Sequence, residues 1–218
     1  MTDRRDRTLH WVLLLAAAAV LVWSGVRPVH RTVWALEVAP AVVAGAILLA
    51  TYRRFRLTNL AYVLIWVHAI ILMVGGRWTY EQNPLFEWLR EALDLQRNHY
   101  DRLGHVAQGF VPAIVVRELL LRTSPLRAGK WLFALVLGTC LGVSALYELV
   151  EWWVALIGGG AGVQFLAAQG DPWDTQWDMF LCLCGAIVSL VALRRVHDAQ
   201  LRRLAAARPA GRRAAGGD

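Results

Sequence analysis

Six stretches of the chain are apolar almost without interruption: Trp11–Val26, Val33–Ala50, Leu57–Gly76, Leu103–Leu121, Trp131–Ile157 and Trp177–Leu193. Each approaches the roughly 18 to 20 residues that a helix needs to cross bilayer hydrocarbon. A segment there can satisfy its own backbone only as a helix. The pattern predicts an all-α, polytopic membrane protein with six transmembrane helices. Arg53-Arg54-Phe55-Arg56 is a short break, so the second and third spans should be antiparallel neighbours. The longest break, Trp78 to Tyr100, contains Pro84–Leu93 with helical apolar spacing. That stretch is expected as a short interfacial helix between the third and fourth spans. A break from Gly158 to Gln176 opens on a glycine triplet, expected to be flexible, and then becomes dense in Asp and Trp. Residues 1–193 thus read as one six-helix domain. Residues 194–218, rich in Arg, Ala, Gly and Pro, read as a basic cytoplasmic tail, disordered or lying on the membrane surface.

Composition sharpens this picture. At 57% hydrophobic and 18% charged over 218 residues, the chain leaves no polar stretch long enough for a soluble catalytic domain. A net charge of +7 invites a nucleic-acid reading. Its distribution argues otherwise. With the N-terminus inside, seventeen of the 23 Lys and Arg residues fall in cytoplasmic segments. That is the positive-inside pattern. It predicts a multi-pass membrane protein with both termini cytoplasmic. Membrane lipids are the expected partners, anionic headgroups among them, with no nucleic acid; protein partners are not legible. Met1–Arg7 and the run after it have a signal peptide's outline, but no small-x-small cleavage site follows, so an uncleaved first span is expected. Cys140, Cys182 and Cys184 all lie within spans and read as apolar packers. Among 11 tryptophans, Trp23, Trp34, Trp78, Trp152, Trp153, Trp173 and Trp177 fall near the outer boundary, as belt anchors do.

Ionisable residues concentrate at that same boundary. Asp101 and His105 are four apart at the start of the fourth span, and Gln108 continues their face. Glu148 and Glu151 are three apart at the outer end of the fifth span, beside Ser144 and Tyr147. Asp174 and Asp178 are four apart at the entry to the sixth, preceded by Asp171. Such spacings put each pair on one helix face. A charge in hydrocarbon costs roughly 2.5 to 3.5 kcal/mol, so these groups should meet a partner, a metal, a proton or a substrate. His105, Glu148, Glu151, Asp171 and Asp178 suit a divalent metal, the cofactor this set would take. Asp101, His105, Glu148, Glu151, Asp174 and Asp178 also suit acid–base catalysis, because crowded charges at a low-dielectric boundary shift proton affinities toward neutrality. Arg77 and Arg102 could contact an anionic headgroup, and Trp173 and Trp177 could stack on a substrate. His68, in mid-span, reads as a packed residue. Arg117-Glu118, near the inner end of the fourth span, reads as a snorkelling pair.

Three stretches resemble the YjdF-type family of bacterial inner-membrane proteins, a domain of unknown function. They are Asn98-His99-Tyr100-Asp101-Arg102-Leu103-Gly104-His105, Tyr147-Glu148-Leu149-Val150-Glu151-Trp152, and Gln169-Gly170-Asp171-Pro172-Trp173-Asp174-Thr175-Gln176-Trp177-Asp178-Met179. The resemblance runs from Arg77 onward and implies a polytopic membrane fold with no established activity. A looser similarity links Asp101-Arg102-Leu103-Gly104-His105 and Asp174-Thr175-Gln176-Trp177-Asp178 to the Asp-Lys-x-x-His and Asp-rich motifs of VanZ-like proteins. Arg102 stands where those proteins have Lys. This likeness implies a role at the cell envelope.

Three functions fit the residues. The first is a metal-binding or acid–base site, facing outward, that acts on a lipid or envelope substrate. The second is a non-catalytic membrane factor whose polar cluster is structural. The third is an ion or small-solute carrier, for which little polar track is visible below Gln108.

Overall fold

The computed structural model describes residues 2–207, the side chains of residues 2, 3, 159, 161, 163 and 164 excepted. It is all-helical, with seven helices in the order α1 (Thr2–Gly25), α2 (Arg31–Thr51), α3 (Asn59–Trp78), α4 (Pro84–Ala92), α5 (Tyr100–Thr123), α6 (Lys130–Leu166) and α7 (Asp174–Ala206). Six of these are long and apolar enough to cross a membrane. The remaining one, α4, starts at Pro84 behind Asn83, whose side chain accepts from the Phe86 N–H and so caps the helix.

The helices differ in how much of their surface faces protein. α5 is the most buried of the six spans and α1 the least, so α5 is the axis of the bundle. Its main partner is α7, and glycine sets how closely the two approach. A Cβ on Gly109 would lie 1.7 Å from the Cys182 carbonyl oxygen, and one on Gly185 would lie 2.2 Å from that of Val106. Backbones therefore touch at this crossing, as small residues permit between membrane helices. Around it Ala113, Cys140, Cys182, Ala186 and Leu190 form an apolar core with Leu132 and Val136 of α6. The Cys182 thiol points at the Cys140 carbonyl, 3.6 Å away, so both cysteines pack, as expected.

Three expectations are corrected. The glycine triplet does not open a flexible loop: α6 continues through it to Leu166. The chain bends sharply there instead, because a Cβ on Gly162 would fall 2.3 Å from the Val154 carbonyl oxygen. This fold-back buries Phe165, which stands 6.3 Å, centroid to centroid, from the ring of Tyr147. The boundary at Leu193 is also displaced, since α7 is helical to Ala206. The basic stretch from Arg194 stays ordered because Asp198 pairs with Arg117 at 2.7 Å and Gln200 accepts from the Leu60 N–H at 2.9 Å. Residues 208–218 of the expected tail lie outside the described residues.

Arg117 and Glu118 are not a snorkelling pair either. Both are buried at the end of the bundle where α2 turns into α3. Glu118 accepts from the Thr58 hydroxyl at 2.7 Å, faces His197 at 3.1 Å and pairs with Arg122. Arg117 meets the other ring nitrogen of His197 at 2.9 Å. α3, α5 and α7 are thus tied together at this end by a closed polar network.

Candidate functional site

The opposite end of the bundle holds the acidic cluster, and the three helices do converge there. The His105 Nε2 atom stands 3.5 Å from Asp101, 3.8 Å from Glu148 of α6 and 3.8 Å from Asp178 of α7. Its Nδ1 atom lies 3.2 Å from the Gln108 side-chain oxygen. The three carboxylate spacings exceed a hydrogen bond of 2.7 to 3.2 Å, whereas the Gln108 contact is one. Ligands on one cation at about 2.1 Å would stand roughly 3.4 Å apart around a tetrahedron. One atom each from Asp101, His105 and Asp178 lies within 4.8 Å of the others, and all three residues are buried.

Two arginines hold the carboxylates from the other side. Arg102 reaches Asp171 at 2.9 Å, Asp174 at 3.1 Å and Asp178 at 3.0 Å. Arg97 reaches Asp174 at 2.6 Å, Asp171 at 3.5 Å and Asp101 at 3.6 Å. Asp171 and Asp174 thus belong to the arginine layer. Asp101 and Asp178 divide their oxygens, one toward an arginine and one toward His105. The Glu148 Oε1 and Asp101 Oδ2 atoms are buried without a hydrogen-bond partner, as are the hydroxyls of Ser144 and Tyr147. Glu151, also buried, lies within electrostatic reach of Glu148, Asp101 and Asp178.

The loop over the cluster is tied down. Arg97 donates to the carbonyls of Ala167 and Ala168, and Asn98 and Gln169 exchange two hydrogen bonds of 2.9 Å. Ala167 and Gln169, both at φ 50°, take the left-handed turn that this closure requires. Trp173 and Trp177 point outward and line a shallow apolar groove with Gln176 and Phe180, and the Arg102 guanidinium lies 6.0 Å from the Trp177 ring. Arg77 is elsewhere. It donates to the carbonyls of Trp23 and Val26 at 2.6 and 2.7 Å and lies over the rings of Trp23 and Trp78. It therefore caps the end of α1 and is spent before it could meet the cluster. His68 is half-buried in α3, within electrostatic reach of His105.

A match to known proteins covers the whole bundle. The family model described as "Predicted membrane protein (DUF2238)" matches residues 9–199. The chain belongs to this family. The inner membrane protein YjdF of Escherichia coli (strain K12) is 46% identical over 201 residues, 90% of this chain and 96% of that protein. No solved structure matches. The chain is thus an integral, multi-pass inner-membrane protein of the DUF2238 family, and the likeness includes the first two spans as well as those after Arg77. The similarity to VanZ-like proteins gains nothing from these matches.

Sequence reasoning missed three buried members of the polar ends: Glu37, Arg97 and His197. Glu37 is the one charged residue in the run Val33–Ala50, and that isolation was a usable signal. Its carboxylate lies within electrostatic reach of Asp101 and His105 and faces the hydroxyls of Tyr80 and Tyr147. The Tyr147 hydroxyl falls short of a well-formed hydrogen bond. Burial, reinforced by Glu37 alongside, pushes the Tyr80 hydroxyl well above the usual phenol range, so it stays a proton-bearing donor. Burial, with Asp101 nearby, likewise raises the proton affinity of Glu81 in the same loop.

Proposed function

We propose that this membrane protein binds a divalent cation between Asp101, His105 and Asp178, with Glu148 as a fourth donor. In this reading the site faces the outer side, and Glu148 and Glu151 serve acid–base chemistry on a lipid or cell-envelope substrate. The observation that carries the reading is the spacing around His105: too long for hydrogen bonds, right for shared ligation, with the buried Glu148 Oε1 atom that faces it left without a hydrogen bond. A buried carboxylate oxygen without a partner is expensive, and a cation is the simplest group that satisfies several at once. One imidazole with carboxylates suits zinc, iron or manganese. The apolar groove along Trp173, Trp177 and Phe180 supports a lipid-like substrate, since an acyl chain could lie there beside Arg102. Positive-inside charge supports the outward orientation; a reporter fused after Ala207 should give a cytoplasmic signal.

The purely structural reading is favoured by Arg97 and Arg102, which already pair Asp171, Asp174 and Asp178. The carrier reading is disfavoured by the apolar core and the backbone contact at Gly109 and Gly185, which fill the space between the two polar ends. Elemental analysis of purified protein separates the first two. The cation reading expects near-stoichiometric metal in the wild type and loss of it in a His105→Ala, Glu148→Ala double variant. Equal, substoichiometric metal in both would reject it.

A further inference from the structure

A buried glutamate on α2 reaches the site from a helix that contributes nothing else charged to it. Glu37 enters because glycine makes room. A Cβ on Gly76 would lie 3.0 Å from the Glu37 Cβ, so the stem of this side chain runs directly over Gly76. The neighbouring Gly75 does the same for Tyr80, whose ring would lie 2.3 Å from a Cβ there. Gly104, on the far side, would meet the same ring at 3.1 Å. Thr79 and Tyr80 turn back over the end of α3 at φ 61° and 52°, a conformation that bulky side chains rarely adopt. Three glycines and a strained turn thus seat one carboxylate and one phenol within electrostatic reach of Asp101, with the carboxylate in reach of His105 as well. Strain of this kind persists only where the surroundings over-determine it, and it gathers at functional sites.

We infer that Glu37 is a positioning residue of the cation site, a carboxylate on the α2 wall that holds, with the Tyr80 hydroxyl, the group filling the cation's open position. The inference rests on the cation reading above. A helix tie alone would be served as well by a neutral amide, which keeps the shape and an acceptor for Tyr80. A cation responds to the charge.

The test compares Mn2+ affinity, read from the electron paramagnetic resonance of free Mn2+, with thermal unfolding in detergent. The Glu37→Gln variant should unfold at or above the wild-type temperature yet bind Mn2+ roughly 10- to 100-fold more weakly, as loss of an outer-sphere partner does. Tyr80→Phe keeps the ring on Gly75 and should weaken binding in the same direction, by less. If Glu37→Gln binds Mn2+ like the wild type, Glu37 is a packing residue and the inference fails while the cation reading stands. If the wild type itself binds no Mn2+, zinc or iron, both fail. Should Glu37→Gln not fold, Tyr80→Phe decides alone: unchanged affinity overturns the inference and weakened affinity supports it.

Discussion

Adding one methyl group at Gly109 should disable the site from a distance. The new Cβ would lie 1.7 Å from the Cys182 carbonyl oxygen, 2.6 Å from its carbon and 2.9 Å from the Ala186 nitrogen. All three are backbone atoms of α7, so no rotamer change can relieve the clash. Ordinary contact between such atoms needs roughly 3.5 Å, so α5 and α7 must part by on the order of 1.5 Å. Overpacking of this kind costs about 1 to 3 kcal/mol. For a chain of this size that lowers Tm by about 3 to 10 °C. His105 sits one turn from Gly109, and Asp178 lies two turns from Gly185 on the facing helix. Their 3.8 Å separation should widen beyond what one cation can bridge, with at least a tenfold loss of affinity of the order expected for a disturbed metal site. The assay is a paired measurement of Tm and Mn2+ binding on Gly109→Ala and Gly138→Ala. A Cβ on Gly138 meets nothing within 4 Å, so that variant should bind normally and unfold at an equal or slightly higher temperature. If Gly109→Ala unfolds and binds as the wild type does, α5 and α7 do not cross in backbone contact, and the account of what holds the site together is wrong.

Three further outcomes are expected. Arg102→Lys puts one ammonium where a planar guanidinium spans Asp171, Asp174 and Asp178, so Tm should fall with a loss of about 2 kcal/mol, measurable by unfolding in detergent. Glu118→Gln leaves Arg122 without its buried anion and should cost about 3 to 5 kcal/mol, while Mn2+ affinity stays at the wild-type value; a change in affinity would show that the two polar ends are coupled. Arg77→Ala uncaps α1 and should lower stability by about 1 kcal/mol without altering cation or lipid binding, because that side chain is committed to the carbonyls of Trp23 and Val26.

Most of the fold could be read from the chain because the signals were local and repeated. Six apolar runs, punctuated by polar breaks of which four carry arginines, mark six spans whatever their packing, and Asn83-Pro84 marks the start of α4. Spacing within a helix also showed which acids share a face, and that brought Asp101, His105, Glu148 and Asp178 onto one list. What stayed hidden depends on contacts between helices. Arg97 lies outside the apolar runs and reads as an ordinary loop residue until α7 brings Asp174 to 2.6 Å. His197 sits among arginines in a stretch that reads as a tail, yet Glu118 and Arg117 bury it completely. The glycine triplet misled for a related reason: glycine loosens a helix locally, but here burial of Phe165 keeps the chain helical and converts looseness into a bend.

The two polar ends share α5 and α7, and their charge balances differ. At the α2–α3 turn, Glu118 and Asp198 face Arg117, Arg122 and His197, and each carboxylate has a short partner. Such a network is closed, and its chemistry is complete without a ligand. At the other end, Glu37, Asp101, Glu148, Glu151, Asp171, Asp174 and Asp178 gather, among the described residues, around only Arg97, Arg102 and His105. Removing an ion from water costs several kcal/mol even after relaxation, and attraction to a partner is what offsets it. A folded helix pair that tolerates matched charge at one end and a large anionic excess at the other must recover the difference there from protons, a cation or a cationic group of a substrate. That asymmetry makes the acidic end the place where ligand or proton chemistry should be sought, and the matched end a clamp that keeps α5 and α7 in register while it happens.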